Sequence, residues 1–455
     1  MVTGSGSPRR FASFVLVWLG QFVSLVGSSL TYFVLPVLVY QRTGSAAQVA
    51  LIYTFSVLPG VFLSPFAGTL VDRWPHHRRT MVLSDLGAAL GTLVIAWLLF
   101  IGRLGVWHIY LLVVLNSLCS AFQYPAYQVS IPLLVPKKHL GRANGMVQVA
   151  QAVSQIAAPM LAGTLLESIQ FEGIILIDLA TFLFAVLSLL LVHIPHSKPT
   201  ERKEAKGSLL REVGYSWLYL KARPGLFALL VVYTASNFAV GPVMALFTPL
   251  MLSSSLSPAA LGQVLTVGGV GALVGSLAVS AWGGPKRRVL GAIVAGVLEG
   301  LFILAGGLRQ SVVFFGVAAF GFFFFLPIST VSIRTIVQTK VARDVQGRIF
   351  SVTSMIAKVI LLVSTPVAGP LADYVFEPLL AADGLLAGSV GRLIGVGVGR
   401  GIALLFIVLG VLQVGIMAGG YLYPRLRFVE RELPDAVVDE VTVPSERREC
   451  PEGAI

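Results

Sequence analysis

The sequence predicts an all-α membrane protein with twelve transmembrane helices in two pseudo-symmetric six-helix halves. Three observations predict it. The first is composition: of 455 residues, 56% are apolar and 12% charged, and mean hydropathy is +0.85. An ordinary soluble domain carries about 25% charged residues, so a large soluble enzyme, a disulfide scaffold and a disordered chain are excluded. The second is a series of apolar runs of the about 20 residues needed to cross a bilayer. The third is the placement of the basic residues.

The predicted spans run over about 11–40, 46–71, 80–101, 106–135, 143–166, 171–194, 225–252, 259–283, 289–307, 311–337, 346–376 and 400–423. The first follows Arg9 and Arg10 and is too long for a signal-peptide core. With the N-terminus inside, 26 of the 33 Lys and Arg residues fall in cytoplasmic segments and five in outer loops, while Arg334 and Lys358 lie within spans. Such asymmetry predicts a multi-pass protein of the plasma (inner) membrane with both termini cytoplasmic. It also accounts for the net charge of +12 without nucleic acid. Residues 1–195 read as an N-terminal six-helix bundle, 196–224 as a charged cytoplasmic linker, 225–424 as a C-terminal bundle, and 425–455 as a solvated acidic tail. The two cysteines, Cys119 and Cys450, give neither a metal spacing nor a disulfide framework. No P-loop, cofactor motif or metal site is read, His76 and His77 being a solvated loop pair. Gly395–Gly401 reads as a turn entering the last span.

The halves repeat. Pro159-Met-Leu-Ala-Gly163 aligns with Thr365-Pro-Val-Ala-Gly369 at a 206-residue offset, which also pairs Gly141-Arg142 with Gly347-Arg348. Two parallel repeats predict a binding site at their interface.

Polar residues inside a span are unfavourable, so their arrangement informs. Gln21, Ser24, Ser28 and Thr31 share one face of the first span, and Asn116, Ser120, Gln123 and Tyr127 one face of the fourth. Tyr233, Asn237, Gly241 and Thr248 line up on the seventh, and the tenth carries Phe320 and Phe322 to Phe325. No carboxylate lies on these four helices, which predicts an amphipathic, mostly neutral ligand. Asp178 lies roughly 10 Å into the sixth span at 1.5 Å per residue. Glu299 and Lys358 fall at similar depth in the ninth and eleventh, and a pair between them is expected as one alternative, since buried charges seek partners. These three are the candidates for proton coupling. Asp85 reads as a local partner of Arg78 and Arg79.

The loop Gly68-Thr-Leu-Val-Asp72-Arg73-Trp-Pro-His-His-Arg78-Arg79 resembles the Gly-x-x-x-Asp-Arg motif of the major facilitator superfamily. Here Pro75 stands for the second glycine, and two extra residues precede the basic pair. Ala158-Pro159-Met-Leu-Ala162-Gly163 is similar to the antiporter signature, with alanine at two glycine positions. Asp178 in Ile-Asp-x-x-x-Phe resembles the macrolide-efflux and enterobactin-exporter-like branch. The arginine that many drug antiporters carry in the fourth span is absent. The resemblance implies that the first, fourth, seventh and tenth spans line a central cavity, with Gln21, Ser24, Ser28, Thr31, Asn116, Gln123, Tyr127, Tyr233, Asn237 and Phe324 facing substrate. It implies gating by Gly68, Asp72, Arg73, Arg78, Arg142, Pro159 and Arg348. The function it implies is a monomeric, proton-coupled exporter of amphipathic small molecules (drug, macrolide, siderophore or peptide product), not an enzyme. A lysolipid-like flippase or an uptake carrier is the alternative. A membrane-embedded enzyme would need clustered His, Asp or Glu at one interface, and the sequence has no such cluster.

Overall fold

The computed structural model describes residues 7–73, 76–136, 139–192, 217–254, 256–341 and 343–433, with side chains left out at 7–10, 64–73, 343–344, 347–348 and 351. The regular structure of the described residues is helical. Helices α1 (Ser7–Thr43), α2 (Ala46–Arg73), α3 (His77–Phe100) and α4 (Val106–Leu134) come first. A 52-residue helix, Leu140–Leu191, follows. Unbroken, it would measure about 78 Å at 1.5 Å per residue, against a hydrocarbon core of about 30 Å. It breaks at Gln170, where φ is 57° and ψ −170°. The two limbs, 140–169 (α5) and 171–191 (α6), are therefore separate spans joined by one residue. The second set is α7 (Pro224–Ser253), α8 (Pro258–Trp282), α9 (Arg288–Leu308), α10 (Val312–Lys340), α11 (Arg343–Pro370) and α12 (Arg400–Leu422). A π-helical turn, Leu371–Phe376, extends α11. Eleven helices among the described residues have membrane-spanning length and apolarity, and one of them is the broken pair.

Helix neighbours follow the repeat. In the first set α1 packs on α5 and α6, α2 on α4, and α3 on α4 and α6; in the second α7 packs on α11 and α12, α8 on α10, and α9 on α10 and α12. Adding six to each number in the first set returns the second. Small residues permit the closest approaches. A Cβ at Gly20 or Gly27 of α1 would collide with Ser188 or Thr181 of α6.

The sets meet along α2–α11 and α5–α8. The end of the bundle that carries the odd-numbered connections (after α1, α3, α5 and so on) is called the far end; the other, with the start of α1 and the end of α12, is the terminal end. Toward the far end Gly163 sits against Pro258 and Gly262, with Pro258 O 2.8 Å from where a Cβ would stand. A Cβ at Gly262 would strike the Pro159 carbonyl, and one at Gly369 would strike Ala47. Asp373 completes this seam. It accepts hydrogen bonds from Ser45 Oγ (2.6 Å), Ala46 N (3.0 Å) and Ala47 N (2.9 Å), occupying the open N–H groups at the start of α2.

Two local expectations are corrected. His77, expected in a solvated loop, begins α3 and is buried. Past α12 the chain departs from the solvated tail expected there. Residues 424–433 form two helical turns folded under α7 and α9. Leu426 and Val429 are buried, Val429 against Gly225. Lys340 Nζ donates to the carbonyls of Glu430 (2.7 Å) and Leu433 (2.5 Å). Two buried apolar side chains and a clamping ammonium explain the docking. The expected linker lies almost wholly outside the described residues.

Candidate functional site

A cavity of about 230 Å³ lies within the first helix set. Helix α1 contributes Trp18, Gln21, Ser24, Ser28 and Tyr32 to its wall, and α4 contributes Asn116, Ser120, Gln123, Tyr124 and Tyr127. The polar stripes of these two helices thus face one space, as their helical spacing predicts. Thr31 is buried one turn beyond, toward α6.

Asp85 of α3 also lines this cavity and is 5% exposed. Gln21 Nε2 donates to Asp85 Oδ2 at 3.1 Å, and Gln123 Nε2 donates to Gln21 Oε1. The three side chains form a chain from α4 through α1 to α3. The expectation that Asp85 serves Arg78 and Arg79 is corrected. Arg78 instead donates from Nη2 to the Leu190 carbonyl (2.6 Å), at the end of α6, where cations are favoured. Asp85 lies about 12 Å along α3 from His77, at 1.5 Å per residue, and its helix turns it inward. A signal for this exists in the sequence: Asp85 is the only carboxylate in 80–101. The basic pair two turns away masks it by offering a nearer partner.

Two further wall groups have no partner. Tyr127 OH and Asn116 Oδ1 are buried without a hydrogen bond. An orphaned buried polar atom loses about 1–3 kcal/mol, and both of these lie within the wall that also holds the carboxylate. Its remaining wall mixes polar Ser29, Ser84 and Gln151 with apolar side chains such as Phe22 and Phe182.

The other expected site residues lie elsewhere. Tyr233 lines a small separate hollow of about 70 Å³ near Ile333 and Arg334. Asn237 donates Nδ2 to the Tyr233 carbonyl of its own helix (2.8 Å). Phe324 packs with Phe320, Phe325 and Ile328, its backbone against Gly275 of α8. These three do not line the cavity. The phenylalanines of α10 pack on Gly268, Gly271 and Gly275 of α8 and on Phe302 of α9, and Phe322 and Phe323 line a hollow of about 70 Å³.

Asp178 is fully buried and accepts from Thr31 Oγ1 (2.7 Å) and Ser28 Oγ (3.3 Å), tying α6 to α1. Ser28 also lines the cavity, so Asp178 touches the site through one hydroxyl. Glu299 is 2% exposed and accepts from Ser329 Oγ at 2.5 Å. The pair considered between Glu299 and Lys358 is not formed. Helix α9 packs on α10 and α12, whereas α11 packs on α7 and α2, and Lys358 is exposed.

Of the expected gating residues, Pro159 stands in the α5–α8 seam. The Arg142 guanidinium lies 5.5 Å from the Phe11 ring centroid, within the first set. The side chains of Gly68, Asp72, Arg73 and Arg348 lie outside those described.

The sequence profile of the Major Facilitator Superfamily matches residues 17–360. The chain is 28% identical over 375 residues to macrolide efflux protein A of Streptococcus pyogenes, covering 79% of this chain and 89% of that protein. It is 26% identical over 388 residues to the multidrug efflux pump Tap of Mycobacterium bovis, covering 82% and 88%. Among solved structures it is similar in fold to a bacterial homologue of the human lysosomal transporter Spinster in an inward-facing, unoccupied conformation, with a TM-score of 0.66 and 14% identity over 94% of this chain and 99% of that one. The nucleoside transporter NupG gives a TM-score of 0.66 at 13% identity, covering 90% and 99%. The chain belongs to the major facilitator superfamily.

Proposed function

We propose that this transporter exports amphipathic small molecules by alternating access, exchanging them for protons at the Asp85 cavity. The observation that carries this reading is a partly open cavity in which amides, hydroxyls and one buried carboxylate stand among apolar and aromatic side chains. A carboxylate held by a single amide can hold a proton or face a cationic group, but gains nothing from both at once. That exclusivity is the minimal requirement of an antiporter. The efflux names of the relatives support the direction of transport. Asp178 takes part through Ser28, because protonating it would alter what the Ser28 hydroxyl donates to.

The ligand expected from the sequence is mostly neutral. Asp85 modifies that: the body remains apolar and the preferred ligand carries one protonated amine, met by the carboxylate and by the aromatic faces of Trp18 and Tyr32. At about 230 Å³ the cavity is smaller than the roughly 300–1,000 Å³ of drug-sized sites. A large ligand would therefore extend from it toward the second helix set.

In this reading the protein sits as a monomer in the plasma membrane with the terminal end cytoplasmic. The far-end seam then closes the outer side, an arrangement supported by the inward-facing form of the Spinster homologue. The test is accumulation of a fluorescent amine inside inverted membrane vesicles containing the protein, against vesicles without it, with an imposed acid-inside ΔpH. Transport that follows the gradient and ceases when it is collapsed is expected. Transport indifferent to ΔpH removes proton exchange, and transport of opposite sign makes the protein an uptake carrier.

A further inference from the structure

The docked segment after α12 has a consequence at the terminal end. It carries Arg427 and Arg431 to the start of α9, where Lys286 and Arg287 already stand. The four cations surround a hollow of about 300 Å³ whose wall also includes Val289, Leu290, Ile293, Tyr421 and Phe428. The one carboxylate in the wall, Glu430, caps the start of α9, its Oε1 accepting from Arg288 N (3.0 Å) and its Oε2 from Val289 N (3.3 Å), which leaves one acid to four cations. Among the described residues, none of the four cations takes part in an ion pair, while nearby Arg425 does, with Glu432 at 3.5 Å.

Gathering like charges around one concavity is unfavourable without an anion between them. Cations that merely mark one side of a membrane stand apart in water. These are instead brought together by a segment anchored through Leu426, Val429 and the Lys340 clamp. Arg427 is held in place, its guanidinium 4.6 Å from the Tyr421 ring centroid and 5.3 Å from that of Phe428. A preset guanidinium suits a phosphate, which it can meet with two parallel N–H donors.

The position selects the kind of anion. The hollow lies at the first turn of α9 and the last turn of α12, where these spans leave the membrane. Leu290 and Phe428 are 39% and 38% exposed and continue the wall as apolar surface, and Tyr421 is an amphipathic ring of the sort that sits at headgroup level. A soluble phosphate has no use for that wall, whereas a lipid headgroup with chains beside it uses both parts.

We propose that this basic hollow binds the phosphate headgroup of an anionic phospholipid and thereby fixes the docked segment against α9. The experiment uses the full-length protein, delipidated in detergent, and follows thermal unfolding during titration with phosphatidylglycerol, with phosphatidylcholine of the same chains, or with inorganic phosphate alone. Phosphatidylglycerol is expected to raise Tm saturably and phosphatidylcholine not. The quadruple variant K286Q/R287Q/R427Q/R431Q is expected to lose the difference. The K286Q/R287Q pair, which leaves the docked segment intact, decides if the quadruple variant does not fold. Each cation contributes about fivefold in affinity at a lipid surface, so the pair should weaken the titration roughly 25-fold. An equal response of wild type and pair variant overturns the proposal. An equal effect of inorganic phosphate also overturns it, making the hollow a site for a soluble anion.

Discussion

The two helix sets share a plan of neighbours and differ in what fills it. In the first, the space between α1, α3 and α4 is lined by amides, hydroxyls and the Asp85 carboxylate. In the second, Phe302, Phe322 and Phe323 line a smaller, largely apolar hollow of about 70 Å³, and Glu299 is buried against Ser329. One repeat holds the larger hollow with a carboxylate in its wall, and the other the smaller, apolar one. A binding surface can therefore be asymmetric in a pseudo-symmetric frame, because the repeat constrains which helices touch and leaves their side chains free.

Substitutions can break this contrast. Asp85→Asn should have the largest effect, lowering efflux of an amine substrate more than tenfold with the protein still inserted and folded, whereas Glu299→Gln should change rates less than twofold. Equal losses in an initial-rate assay would mean that the two sets contribute alike. Next in size, Gly262→Ala forces a methyl against the Pro159 carbonyl, a clash worth about 1–3 kcal/mol of overpacking. It should raise thiol-reagent labelling of an A47C reporter at the far end, and unchanged labelling would place the moving seam elsewhere. Asp373→Asn removes the charge from the cap on α2 and should weaken the seam by about 1 kcal/mol, read as a smaller rise in that labelling. Thr31→Val leaves Asp178 with Ser28 alone and should lower stability by about 1–2 kcal/mol, seen in thermal unfolding. The smallest change expected is at Gln170, whose left-handed φ would relax in Gln170→Gly, returning about 1 kcal/mol.

Much of this was legible in the sequence. Spans and loops follow from hydropathy and charge placement because a bilayer demands long apolar helices. The faces of α1 and α4 were legible because Gln21, Ser24 and Ser28 recur at a helical spacing, as do Asn116, Gln123 and Tyr127. Asp85 escaped for want of any stripe: α3 offers one acid among apolar residues, and only the packing of α3 on α4 and α6 shows which way it points. Tyr233 and Asn237 obey the same spacing as the α1 set, yet periodicity identifies a face without saying what lies opposite. Opposite Tyr233 stand α10 and α11, around a separate hollow. The docking of 424–433 was hidden because Leu426 and Val429 are too few to register as a pattern.

The single-residue joint at Gln170 has a mechanical meaning. A long loop would let α5 and α6 slide independently; one residue in a sparsely allowed conformation transmits force as a bell crank does. One arm, α5, carries Pro159 and Gly163 in the seam with α8, and the other, α6, carries Asp178 bonded to α1. A tug on the hydroxyl pair at Asp178 is thus a tug on the seam itself, made through the bend at Gln170.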